Sequence, residues 1–159
     1  MASHQKDPKP GEATVADVKF MRQAIRLART AHERGDTPVG SVVVSNGRVI
    51  SKGIEAVQAD KDLTAHAEIR ALREACRNLD TFDLTGCTLF TTVEPCWMCS
   101  FVIRSARISR VVMGRTTPYI GGFSSNHPIL LAPDIPGWSQ PPLFVSGLLE
   151  EECSALFRH

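Results

Sequence analysis

Two short segments of this chain carry residues that can bind a metal and move a proton: His66-Ala67-Glu68 and Pro95-Cys96-Trp97-Met98-Cys99. Zinc accepts neutral imidazole and thiolates in a tetrahedron, and a catalytic site gives it three protein ligands and leaves the fourth position to water. His66, Cys96 and Cys99 supply that set for one Zn2+ per chain. Two cysteines three apart share a face at a helix start. The helix dipole and free amides there favour thiolates. Pro95 suits the boundary because its missing N–H would be unpaired in a first turn. Glu68 lies two residues past His66, about 200° around a regular helix. It is badly placed as another ligand and well placed to carry a proton from a water to a nitrogen leaving group.

A Cys-x-x-Cys by itself also serves structural zinc clips and redox pairs. A structural zinc needs a fourth protein ligand. Cys87 is the nearest by type, but it falls in an apolar strand and reads as a small buried hydrophobe, as do Cys76 and Cys153 on apolar helix faces. A redox role leaves His66 and Glu68 without a purpose.

The elements that must position these groups follow from periodicity. Val18, Met21, Ile25 and Ala28 predict a helix from Asp17 to near Gly35. Two short strands, 39–44 and 48–54, flank Ser45-Asn46-Gly47, a hairpin signal. A helix over 65–79 buries Ile69, Leu72, Cys76 and Leu79. A strand at 87–92 runs into the cysteine segment, followed by a helix at 98–105, strands at 109–114 and 143–146, and a last helix at 149–157. Strands alternating with helices predict an α/β fold of three layers with parallel strands in that half. Residues 1–14 read as a disordered leader and 15–159 as a single domain.

The segment 115–142 stands apart. Its 28 residues hold six of the ten prolines, three glycines and only two charged side chains, Arg115 and Asp134. Loops of that length are often lids or binding loops. Tyr119, Phe123 and Trp138 within it are candidates to stack on a flat ring or to anchor the loop, and His127 is a further candidate. Trp97, between the cysteines, would narrow the pocket or pack at an interface.

Length and charge bound the rest. A chain of 159 residues fits one domain with its own core. A formal net charge of +1 excludes a strongly basic nucleic-acid coat and an acidic disordered tail. No apolar run approaches the about 18 residues of a membrane helix. The polar N-terminus and five cysteines without a secretory signal point to reduced thiols in the cytoplasm.

The His66-Ala67-Glu68 and Pro95-Cys96-x-x-Cys99 segments resemble the zinc-dependent cytidine deaminase superfamily. Thr64-Ala65-His66-Ala67-Glu68-Ile69, Glu94-Pro95-Cys96-x-Met98-Cys99 and Pro38-Val39-Gly40 resemble the branch of bacterial tRNA adenosine deaminase and the small guanine and cytosine deaminases. The resemblance runs from about Phe20 to Gly114. It implies a five-stranded mixed sheet flanked by helices, usually a homodimer, with one catalytic zinc and hydrolytic release of an exocyclic amine as ammonia. It makes His66, Cys96 and Cys99 the ligands and Glu68 the proton shuttle, with the backbone near Ala67, Pro95 and Cys96 beside the reaction centre.

Relatives commonly end the strand before the first motif in Gly-x-Asn, where the Asn amide binds the base. Here the stretch is Gly53-Ile54-Glu55. An ionised Glu only accepts hydrogen bonds, so Glu55 would suit an amine or N–H edge. RNA recognition needs basic contacts to phosphate. The chain from Leu143 onward sets Glu150, Glu151 and Glu152 against Arg158 alone. That balance favours a small heterocyclic amine (a nucleobase or nucleoside of purine or related metabolism) over the alternative, tRNA adenosine-to-inosine editing. An inactive zinc-stabilised binding domain is the remaining alternative, against which Glu68 argues. Arg70, Arg73 and Arg77 share a helical face that reads as solvated surface.

Overall fold

The computed structural model describes residues 11–158. Residues 1–10 of the expected leader lie outside them. The first helix, α1 (Val15–Glu33), begins two residues earlier than its apolar pattern because Thr14 caps it. The Thr14 hydroxyl accepts from the Asp17 N–H at 3.1 Å and the Asp17 carboxylate accepts from the Thr14 N–H at 2.8 Å, a reciprocal capping box. Asp17 is buried and also pairs with Arg110 at 2.7 Å. Arg110 donates in addition to the Glu12 carbonyl, so residues just before α1 are tied to the sheet.

After α1 come β1 (Gly40–Ser45), β2 (Arg48–Ile54), a one-turn helix α2 (Val57–Asp60), α3 (Ala67–Leu79), β3 (Thr88–Val93), α4 (Trp97–Ser105), β4 (Arg110–Arg115), β5 (Leu143–Val145) and α5 (Glu150–Ala155). The strands form one mixed sheet in the order β2-β1-β3-β4-β5. β1 runs antiparallel to β2 and β3, and β3, β4 and β5 run parallel. The β1–β2 turn uses Asn46 at φ 50° and Gly47 at φ 73°. The architecture is the three-layer α/β fold with a five-stranded sheet that the sequence predicts.

Alternate residues of each strand serve opposite faces. Val43, Leu89 and Val111 pack with Leu72 of α3 and Ile103 of α4. Val42, Phe90 and Val112 pack with Phe20, Met21 and Ile25 of α1 and Cys153 of α5. Helix α3 differs from its predicted stripe. Leu79 is exposed, and the buried face is Ala67, Ile69, Ala71, Leu72 and Ala75. Small residues bring this helix close to β2, and a Cβ at Gly53 would overlap the Ala67 carbonyl. The last helix is shorter than 149–157 and starts one residue later, because Leu149 adopts a left-handed φ of 53°.

The 115–142 segment has no helix or named strand past Arg115, yet it is packed. Leu130 is fully buried in the α3/α4 core. Arg104, 2% exposed, donates to the carbonyls of Ile129, Leu130 and Ser139 and lies over the Trp138 ring. All five cysteines are free thiols. Among the described residues no helix is long and apolar enough to cross a membrane.

Candidate active site

The N-termini of α3 and α4 meet beyond the carboxyl end of β3, the side of an open α/β sheet where ligands bind. His66 is the N-cap of α3 and Cys96 the N-cap of α4, both with extended backbone. Cys99 sits one turn into α4 and is fully buried. Pro95 therefore precedes the cap instead of occupying the first helical position. Its carbonyl accepts from the Gly122 N–H at 2.8 Å and the Ser100 hydroxyl at 3.2 Å.

His66 Nδ1 lies 3.6 Å from both sulfurs, Cys96 Sγ and Cys99 Sγ. All three donor atoms fall within 4.8 Å of one another. Ligand bonds of about 2.0–2.1 Å to nitrogen and 2.3 Å to sulfur at a tetrahedral angle give an N···S edge of about 3.6 Å. The donor types and the edge lengths both fit zinc, and no fourth His, Cys, Asp or Glu among the described residues joins the cluster.

The electrostatics suit a cation. Contact with Cys99, then with His66, pulls the Cys96 thiol down to about 4. The Cys99 thiol is pushed up, first by its contact with Cys96 and then by burial. Contact with Cys96 raises the His66 imidazole to about 9. A divalent cation among these atoms holds both sulfurs as thiolates and the imidazole neutral.

Glu68 is 3% exposed. Its Oε1 accepts from the Thr91 hydroxyl at 2.9 Å, and its Oε2 faces Cys99 Sγ at 3.5 Å. Burial raises its carboxyl above the usual carboxylate range. Beside the ligands opens a cleft of about 330 Å³, walled by Asp36, Val39, Glu55, Glu94, Thr117 and Ile120 with His66, Glu68 and Cys96 at its base.

Glu55 lines this cleft and is 7% exposed. Its Oε1 is 3.9 Å from His66 Nε2, and its carboxylate accepts from the Ala67 N–H. Burial, then the charge of Glu68, pushes its carboxyl up to about 7.

Four aromatic or imidazole candidates do not line the cleft. Tyr119 is 88% exposed on the outside of the loop. Phe123 turns inward and packs on Phe144 at 5.3 Å between ring centroids. Trp97 donates from Nε1 to the Ser125 hydroxyl and meets His127 edge-on at 5.6 Å. His127 lines a separate cavity with Asn126, Pro128 and Ile129. Of the turn at 118–124, it is the aliphatic Ile120 that lines the cleft, not Tyr119 or Phe123.

Glu94, Asp36 and Thr91 escaped the sequence reading. The Glu94 carboxylate, 2% exposed, accepts from the N–H groups of Thr117, Phe123 and Ser124 and from the Ser124 hydroxyl. Gly121 passes so close that a Cβ there would overlap this carboxylate. Trp97 N–H donates to the Ile120 carbonyl at 3.1 Å, so the loop is fastened to the ligand turn. Asp36 accepts from the Gln58 and Ala59 N–H groups and so caps α2. The available signal was a carboxylate between an apolar strand and Pro95, where burial demands several donors.

The pattern of the cytidine and deoxycytidylate deaminase zinc-binding region matches residues 14–115. The tRNA-specific adenosine deaminase of Aquifex aeolicus is 43% identical over 116 residues, 73% of this chain and 77% of the relative. That of Bacillus subtilis is 38% identical over 146 residues, 89% of each. A solved structure from work on A-to-I editing by tRNA:A34 deaminases superposes with a TM-score of 0.81 at 38% identity, covering 87% of this chain and 98% of that one. A guanine deaminase from Bacillus subtilis superposes with a TM-score of 0.60 at 37% identity, covering 62% and 63%. A match that spans both ligand motifs, on a chain whose three donors stand at zinc-ligand spacing, makes this protein a member of the cytidine and deoxycytidylate deaminase family, a zinc hydrolase that cleaves C–N bonds of nucleobases or nucleosides.

Proposed function

We propose that the protein deaminates adenosine to inosine in tRNA, at the wobble position of the anticodon. The observation that carries this reading is the similarity to tRNA-specific adenosine deaminases over most of both chains, 89% of each for the Bacillus subtilis relative. The sequence balance favoured a small free ring because of the acidic final helix. Two of those charges are neutralised locally: Glu152 pairs with Arg22 at 2.8 Å and Glu151 pairs with Arg158. The acidic helix is therefore a weak argument against RNA.

His66, Cys96 and Cys99 would hold the zinc, which supplies a bound water acidified to roughly pKa 7. Glu68 would take one proton of the attacking water and deliver it to the adenine ring nitrogen as the oxygen bonds to the amine-bearing carbon. It would then carry the second proton of that oxygen to the amine, which leaves as ammonia as the C–N bond breaks. Thr91 fixes Oε1 of Glu68 and leaves Oε2 turned toward the ligand cluster. Burial raises the affinity of Glu68 for protons, which suits a group that must hold one between two transfers. Glu55 offers its carboxylate to an amine or N–H edge of the ring. The enclosing wall of Ile120, Thr117 and Val39 limits bulk water at the reacting carbon.

A homodimer in the cytoplasm belongs to the same reading. Phe101, 57% exposed, and Trp97, 39% exposed, give α4 an outward apolar face that two copies would share. Deamination of a free base is the second reading, favoured by the guanine deaminase likeness and by Glu55. The deciding experiment offers the zinc-loaded protein an anticodon stem-loop with adenosine at the wobble position beside free guanine, adenine and cytosine, and measures inosine and ammonia. Turnover of RNA alone supports the proposal, and turnover of a free base alone replaces it.

A further inference from the structure

We propose that a basic groove along the open edge of the sheet seats the phosphodiester backbone of the RNA strand next to the target nucleotide. This rests on the tRNA reading above and adds to it the place where the RNA backbone lies. β2 is an edge strand, flanked by α1 on one side and α3 on the other. Between them runs a cavity of about 290 Å³, floored by Lys52 and Gly53 and walled by Arg70, Arg73 and Arg77. A smaller cavity of about 130 Å³ continues it past Lys52 to Arg26 of α1. The two share Leu27 and Lys52 and form one trench.

Five cations line this trench against two carboxylates, Asp60 and Glu74. The local excess of three positive charges contrasts with +1 for the whole chain. Asp60 is spent on Arg70, which it approaches at 4.0 Å and which also donates to the Ile54 carbonyl. Arg73 and Arg77 are exposed along this wall, and Arg73 also lies within electrostatic reach of the Asp62 carboxylate. An excess of cations lining one polar cleft fits a polyanion and not an apolar peptide.

Position ties the trench to the reaction. Arg70 is four residues past His66 on the same helix, so it stands one turn, about 6 Å, from the ligand residue. Arg73 and Arg77 follow on the same face and extend the row by about 10 Å. A row of guanidinium groups of that length can meet successive phosphates of one strand. The row begins beside the ligands, so the phosphates it holds are those nearest the reacting nucleotide.

The test uses the zinc-loaded full chain and a fluorescein-labelled anticodon stem-loop RNA, with Kd measured by anisotropy from low to high potassium chloride. The double variant Arg73→Gln/Arg77→Gln is compared with the unaltered protein and with Arg158→Gln, a charge loss remote from the trench. Each lost phosphate contact lowers the slope of log affinity against log salt by about 0.7–0.9. The double variant is expected to be shallower by about 1.4–1.8 and to bind roughly tenfold or more weakly at about 0.1 M salt. The single variant Arg77→Gln, with about half that change, serves if the double variant loses its fold. A slope and Kd equal to those of Arg158→Gln overturn the trench while the tRNA reading stands. Displacement of the RNA by polyglutamate as readily as by unlabelled RNA overturns its assignment to RNA. An unaltered protein that neither binds the RNA nor forms inosine overturns both.

Discussion

The Ser124 hydroxyl donates to Glu94 Oε1 at 2.6 Å, across 30 residues of chain. That contact joins the loop to the turn that presents Cys96. Glu94 is buried and accepts three further backbone N–H bonds, so one carboxylate shapes the wall of the cleft. Glu94→Gln replaces an acceptor oxygen with an NH2 group facing donors. The substitution should cost about 2–3 kcal/mol in urea unfolding and raise KM, because Ile120 loses its fixed place. Unchanged stability would show that these bonds do not hold the loop.

Thr91 orients the carboxylate of Glu68. Thr91→Val keeps the shape of the side chain and removes the hydrogen bond. We expect kcat to fall roughly tenfold with zinc content unchanged. A drop in zinc content of the same size would mean that Thr91 supports the ligands and not the shuttle.

Glu55 stands between His66 Nε2 and the open cleft. A carboxylate next to a ligating imidazole fixes its tautomer, and its loss typically weakens metal binding about 10–100-fold. Glu55→Gln should show that weakening in competition with a chelator, and Glu55→Asn should change the preference among rings. Variants with native zinc affinity and native specificity would leave Glu55 without a role in the site.

The Asp17–Arg110 pair makes stability depend on acid. Burial by itself would raise the Asp17 carboxyl, but hydrogen bonds from Arg110 and Thr14 hold it below its ordinary value of 3.8. A carboxyl whose folded value is depressed stabilises the protein above the unfolded value and loses that contribution as pH falls through the folded one. Asp17→Asn should therefore destabilise by about 1–3 kcal/mol at neutral pH. The difference should shrink at acid pH, as the native carboxyl too is protonated on passing through its depressed folded value. Thermal unfolding of both proteins at the two pH values measures this, and an equal difference at both would contradict it.

Local chemistry made much of the molecule readable in advance. The ligand motifs are contiguous, so His66, Cys96 and Cys99 were identifiable by type and spacing. The strands show their faces through pairs such as Val42 and Val43, and the hairpin through Asn46-Gly47. What stayed hidden depends on chain segments meeting in space. α2 is four residues long and rests on Asp36, more than twenty positions earlier. The 115–142 loop read as a candidate lid or binding loop, because its prolines and glycines carry no periodicity. Its order comes from Glu94 and Arg104, two buried charges on other elements. The path of this loop leaves Tyr119, Phe123 and His127 out of the cleft, which no residue-type argument could foresee.

Inosine formation is the most direct measurement. The zinc-loaded protein, and a Glu68→Ala variant with equal zinc content, are incubated with a tRNA anticodon stem-loop bearing adenosine at the wobble position. The account predicts inosine from the unaltered protein, one zinc per chain in both proteins, and no product from the variant. Product from Glu68→Ala at the native rate, or an unaltered protein that leaves the RNA intact while releasing ammonia from a free base, would contradict it.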